Sequence, residues 1–169
     1  MRRIILFFLL LLPLAAPARE PAGGKAVPKA KITAAISEFR RYEGVEVVRL
    51  GRVGTAAVKT LMRAAAQDDP DAREALQLMR GVRNLAVLDY EGCAPAVREK
   101  IVRRLDQALD GSELLMEAKD GNSSMQVFGI VDDANGLVRD FVLHAPNDCA
   151  LICLTGTVSM DTLGKLMTE

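Results

Sequence analysis

The sequence predicts an α+β fold: a single domain with a mixed sheet, a C-terminal antiparallel meander of four strands, and helices packed chiefly on one face. Three observations carry that expectation. Between Glu113 and Thr155, four strand-like runs follow one another, at 113–119, 123–132, 137–145 and 149–155. Their joints are Asp120-Gly121-Asn122, Asn135-Gly136 and Pro146-Asn147-Asp148, which suit short antiparallel connections because Gly and Asn accept positive φ and Pro presets a bend. Ahead of the meander, apolar residues recur at helical spacing in segments separated by short strand-like runs. A sheet with apolar side chains must bury them against another layer, and these helices are the available cover.

The first 18 residues read as an export signal. Arg2 and Arg3 open it, Ile4 to Leu12 is unbroken apolar chain, Pro13 interrupts, and Ala16-Pro17-Ala18 supplies a small-x-small site for cleavage after Ala18. The apolar run is too short to span a bilayer and no second one follows, so the mature chain is expected in the periplasm without a membrane span. Residues 19–31, with Pro21, Gly23, Gly24 and Pro28, have no hydrophobic period and read as a flexible leader. That leaves 32–168 as the domain.

Ile32, Ala35, Ile36 and Phe39 define a first amphipathic helix to Arg41, stopped before Gly44. Val45–Leu50 is a strand ended by Gly51. In the second helix, from Val53 to Ala66, the positions Ala57, Val58, Leu61, Met62 and Ala65 are expected to face the sheet. Asp69-Pro70 starts a third helix to Arg80, because Asp can accept an orphan backbone N–H and Pro loses nothing at the first helical position. Ala72, Ala75, Leu76 and Met79 form its inner side. Val82–Tyr90 is the second strand, and a crossover between parallel strands here would be right-handed. The fourth helix, 94–109, buries Val97, Ile101, Leu105 and Ala108, and its mixture of basic residues with Glu99 and Asp106 reads as a solvated face. Ser159 can cap a last short helix carrying Met160, Leu163, Leu166 and Met167. Gly51-Arg52-Val53 is echoed by Gly156-Thr157-Val158, as two equivalent strand-turn-helix units would require.

Of 22 basic and 22 acidic residues, cleavage removes Arg2 and Arg3, leaving a net charge of −2. That balance argues against nucleic acid as a partner. There is no Trp to stack on a sugar or base. Three cysteines in an oxidising compartment leave either one disulfide with a free thiol or three buried thiols.

Phe39-x-x-Tyr42 leading into Gly44-Val45, then Leu115-Met116-Glu117-x-Lys119-Asp120, and finally Leu154-Thr155-Gly156 with Met160-Asp161 and Lys165-Leu166 set a pattern over 32–167. In these motifs the chain resembles the small exported bacterial proteins grouped as domain of unknown function 4252 (DUF4252). The resemblance implies an envelope protein and brings no catalytic residue or cofactor with it. The alanine-rich second helix and the late pair of cysteines depart from its pattern.

Few residues offer chemistry. Cys149 and Cys153, four apart in one strand, stand roughly 13 Å apart at about 3.3 Å per residue and cannot bond to each other. Any disulfide therefore joins Cys93 to Cys149 or to Cys153. If Ala145–Asp148 is a four-residue loop, His144 lies opposite Cys149 and Asp140 opposite Cys153, gathering weak metal ligands on one hairpin face. The alternative is a His at a strand end beside two small buried cysteines. Cys93 precedes a helix start, where a thiolate is favoured, yet no base for it is in view. Gly51–Thr55 lacks the spacing of a phosphate loop, and Asp132, Asp133 and Asn135 lack the distal Glu of a calcium loop.

The chain thus reads as non-enzymatic, binding a protein partner or contributing to envelope sensing, without a cofactor. A small-ligand or metal carrier built on His144 and Cys149 is the alternative. Both meander faces are apolar: Phe128, Ile130, Phe141, Leu143, Ile152 and Leu154 on one, Met125, Val127, Val131, Val138, Val142 and Leu151 on the other. With helices on one face, Val127, Val142 and Leu151 would form an exposed strip for a partner or a second copy.

Overall fold

The computed structural model describes residues 27–120 and 123–161. Residues 1–26, expected to hold the export signal and most of the leader, and the last helix expected beyond Asp161 lie outside the described residues. Helix α1 (Lys29–Phe39) precedes strand β1 (Glu46–Leu50), and helices α2 (Arg52–Ala65) and α3 (Pro70–Met79) lead to β2 (Val82–Asp89). Then come helix α4 (Pro95–Leu109) and strands β3 (Leu114–Asp120), β4 (Ser123–Asp132), β5 (Leu137–Ala145) and β6 (Ala150–Ser159). A short 3-10 turn, Asp133–Asn135, joins β4 to β5.

The six strands form one sheet in the order β1-β2-β6-β5-β4-β3. The meander is present as the turn residues require. The expected mixture of directions is not, because every pairing is antiparallel. Two helices, not one, link β1 to β2. A single helix would return the chain to the starting end and give a parallel neighbour; α2 and α3 pack on each other as a hairpin and deliver β2 in the opposite sense.

Helices cover both faces of the sheet, two on each, which corrects the one-sided arrangement expected from the sequence. Ile32, Ala35, Ile36 and Phe39 of α1 and Ile101, Leu105, Ala108 and Leu109 of α4 bury Leu88, Phe128, Val142 and Leu151. On the opposite face, Leu78 and Met79 of α3, with Met62 of α2, cover Val87, Val127, Phe141, Leu143, Ile152 and Leu154. Six strands at about 4.8 Å spacing make a sheet roughly 29 Å wide. Helices pack about 10 Å apart, so a pair per face spans most of that width.

The face assignment of the meander also shifts. Val142 opposes Cys153 on one side and Phe128 on the other, while Leu143 opposes Ile152 and Val127. Phe128 therefore belongs with Val142 and Leu151, not with Leu143 and Ile152. Bulges produce the change: β5 carries an extra residue at Asp140, at φ 56°, and β6 bends at Gly156, at φ 132°. Gly156-Thr157-Val158 consequently lies inside β6, while Gly51 precedes α2, so the two stretches are not equivalent units.

In α2, Thr55 is buried and Val58 and Met62 are half-buried toward the sheet, whereas Ala57 and Leu61 are exposed, against expectation. Thr55 Oγ1 donates to the Leu50 carbonyl at 3.3 Å, and Lys59 Nζ donates to the carbonyls of Arg80 at 3.1 Å and Val82 at 2.6 Å. These bonds tie α2 to both ends of its hairpin. Asp69 Oδ1 accepts the Ala72 N–H at 3.4 Å, as the Asp-Pro start requires.

Gly81 is where α3 gives way to β2, and its carbonyl accepts the Thr157 N–H at 3.2 Å. A Cβ there would stand 2.1 Å from the Thr157 carbonyl oxygen. Gly81→Ala is expected to cost about 2 kcal/mol, since the crossing must open to admit the methyl group. Gly51→Ala, where a Cβ meets nothing within 4 Å, is expected to stay within about 0.5 kcal/mol of the parent. Urea midpoints of the two variants check the contrast, and equal losses would refute it.

Candidate functional site

Buried polar side chains gather where β2 passes into α4. The turn from Tyr90 to Cys93 is closed by the Cys93 N–H donating to the Tyr90 carbonyl at 3.1 Å, and the Glu91 N–H donates to Asp89 Oδ1 at 2.9 Å. Arg98 reaches back from the first turns of α4. Its Nε donates to the Cys93 carbonyl at 2.8 Å and its Nη2 to the Glu91 carbonyl at 2.6 Å. The chain near Gly44, at φ 80°, presses on the same turn: a Cβ there would be 2.3 Å from the Gly92 carbonyl oxygen. Cys93 Sγ donates to the Glu43 carbonyl at 3.4 Å.

The β5–β6 connection lies alongside. The Tyr90 N–H donates to the Cys149 carbonyl at 2.9 Å, and Cys149, at φ 54°, closes the turn by donating its N–H to Pro146 at 3.3 Å. Burial pushes both the Cys93 and the Cys149 thiols up, and the Arg98 guanidinium pulls both back.

His144 and Tyr90 are fully buried on the same sheet face, under α4. His144 Nδ1 stands 3.7 Å from Asp106 Oδ1, beyond hydrogen-bond reach. Burial lowers the imidazole to about 4, so at neutral pH it is uncharged and this close pair is not an ion pair. Asp106, whose side chain is 57% exposed, has its carboxyl raised by partial burial. The Tyr90 hydroxyl is raised too, by burial first and then by Cys149 and Asp106. Among the described residues, the Tyr90 hydroxyl and both imidazole nitrogens lack a hydrogen-bond partner. Each such atom costs about 1–3 kcal/mol. A neutral imidazole sealed inside the core with a carboxylate at its rim responds to acid; it has no route to a substrate.

The expected metal face is not assembled. Ala145 pairs with Ala150, so the loop is 146–149 and Cys149 belongs to the turn rather than the strand. His144 consequently faces Leu151, and Cys153 faces Val142. Asp140 stands in its bulge and pairs with Lys29 Nζ at 2.7 Å. Among the described residues no three of His, Cys, Asp or Glu come together as a metal-binding group. All three cysteines are thiols, Cys93 and Cys149 buried and Cys153 half-buried. Val127, Val142 and Leu151 are buried on two different faces, so the expected exposed strip does not exist. Gly51–Thr55 is a helix start whose hydroxyl is spent on Leu50. Asn135 Nδ2 donates to Asp132 Oδ1 at 3.0 Å within the 3-10 turn.

The exposed apolar surface lies instead on α2. Val53 is 85% and Leu61 71% exposed, and with Ala57 they recur at every fourth residue, on the side opposite Val58 and Met62. Arg52, Lys59 and Arg63 share the helix, which contains no acidic residue. Sequence reasoning missed this line because α2 is apolar on two sides. It also missed Tyr90, Arg98 and Asp106. The signal for Asp106 was its place on the flank of the 101-105-108 stripe, and for Arg98 its position within one turn of the helix start.

The family model described as "Domain of unknown function (DUF4252)" matches residues 39–166. No curated protein and no solved structure matches the chain. No helix among the described residues is long and apolar enough to cross a membrane.

Proposed function

The chain belongs to the DUF4252 family, and from that premise we propose that it is an exported, non-enzymatic docking module which presents the outer face of α2 to a protein partner. The observation that carries the reading is the pair of nearly bare aliphatic side chains, Val53 and Leu61, on a helix whose other side is already used against the sheet. The export half of the reading rests on the basic-apolar-small pattern of residues 1–18. Catalysis is left out because the chain has one histidine and that side chain is fully buried.

The charge of α2 selects the kind of partner. With three basic residues and no acidic one, two copies of this helix would repel face to face. The occupant is therefore a different protein, offering an apolar patch rimmed by carboxylates. Wild-type and V53S/L61S protein, immobilised, are exposed to envelope extract; the captured protein is then purified and its binding measured directly. The double substitution is expected to weaken binding at least about tenfold while circular dichroism stays unchanged, because each aliphatic contributes about 1.5–3 kcal/mol when covered. Added salt is expected to weaken the wild-type complex further. Equal affinity of the two proteins, or a self-associating wild type, overturns the reading.

A further inference from the structure

We propose that Cys93 and Cys149 are a dithiol that closes to a disulfide, stapling the β2–α4 turn to the β5–β6 turn, while Cys153 remains a thiol. The backbone hydrogen bonds bring the two residues together. Tyr90 donates its N–H to Cys149, which sets their Cα atoms about 5 Å apart across the strand pair. Cys93 closes a tight turn on the Tyr90 carbonyl, which holds its Cα within about 7 Å of Tyr90. Both cysteines thus stand against the same residue and share one buried cluster.

Cys153 is excluded by position. It pairs with Ala86 and Val142, four residues of strand and roughly 13 Å from the Tyr90–Cys149 pair against which Cys93 is held. That separation exceeds what a disulfide spans. Arg98 fixes the arrangement: its guanidinium grips the Glu91 and Cys93 carbonyls, and its positive charge favours the thiolates of both Cys93 and Cys149. The burial of both thiols places closure during folding, before the turn seals.

The oxidant is a disulfide, either of a small thiol such as glutathione or of an exported protein oxidase. The Cys93 thiolate attacks one oxidant sulfur, forming a mixed disulfide and releasing the other as a thiolate. The Cys149 thiolate then attacks Cys93 Sγ, forming the Cys93–Cys149 bond and expelling the second oxidant thiolate. Two protein thiols are oxidised, one oxidant disulfide is reduced to two thiols, and the two protons pass to the released thiolates.

The test is independent of export and of any partner. The full chain is unfolded, reduced, refolded in mixed oxidised and reduced glutathione, alkylated under denaturing conditions and mapped without reduction. The expected map links the Cys93 and Cys149 peptides, lighter by two hydrogens than their sum, with Cys153 alkylated. Reducing the folded product is expected to lower its melting temperature, and Cys153→Ala is expected to leave both the link and that shift in place. Alkylation of all three cysteines, or a link through Cys153, overturns the proposal.

Discussion

Replacing Val142 and Leu151 together by lysine is expected to unfold the domain rather than to release a folded monomer. Both side chains are buried beneath α1 and α4, and β6, which carries Leu151, is paired on both edges. A lysine stem can carry its ammonium to water only from the rim of a layer. Here the layer above is a pair of helices anchored by Phe39, Ile101 and Leu105. An uncompensated buried charge costs about 3–5 kcal/mol, so two cost about 6–10 kcal/mol, comparable to the roughly 5–15 kcal/mol that holds a typical domain together. The same change made at Val53 and Leu61, both exposed on α2, is expected to stay within about 0.5 kcal/mol per site. Circular dichroism and light scattering on the two double variants decide the matter. A folded V142K/L151K protein of lower mass than the parent would show that this face is an interface between chains.

The same two residues show how far the sequence can be read. The meander was legible because its turns are written in Gly, Asn and Pro, and α1 because Ile32, Ala35, Ile36 and Phe39 leave one solution at a period of 3.6. The faces were not legible. A single extra residue at Asp140 reverses which side chains look inward, and a bulge leaves no periodic trace when both faces are apolar. The number of covered faces followed from topology instead: β1 and β2 had to be antiparallel before α2 and α3 could close the second side. The candidate site suffered most from register. His144 and Cys149 were read as opposite each other, but the loop holds Cys149 itself and moves His144 against Leu151. What replaced that face is a turn that Arg98 binds locally, together with a buried imidazole near Asp106 and the Tyr90–Cys149 pairing, and these last two depend on contacts across more than 30 positions of chain, beyond the reach of local spacing.

Acid is expected to destabilise the domain through His144, and the direction follows from where its proton is refused. In the unfolded chain the imidazole takes a proton as the pH falls through about 6.5, its ordinary value; in the fold, burial holds it neutral down to about 4. Between those limits the unfolded state binds more protons, so stability falls as pH falls, by roughly 3 kcal/mol across the window. Below it both states are charged and the loss stops growing. The polar groups beside this ring are Asp106 from α4 and Gln126, the strand neighbour of His144 on β4, with the Glu117 that Gln126 bonds at 3.2 Å. Asp106 works in the opposite sense: its carboxyl is raised, so the fold takes up that proton more readily than the unfolded chain and recovers part of the loss. His144→Leu, close in volume, removes the refused proton together with two buried nitrogens that lack partners among the described residues. Urea midpoints at neutral pH and at about pH 4.5 are therefore expected to separate widely in the wild type and far less in H144L, with H144L at least as stable as the parent at neutral pH. Asp106→Asn is expected to deepen the acid loss, because the compensating proton has nowhere to go. An H144L protein that loses as much stability as the wild type over this interval would place the acid sensitivity elsewhere in the fold.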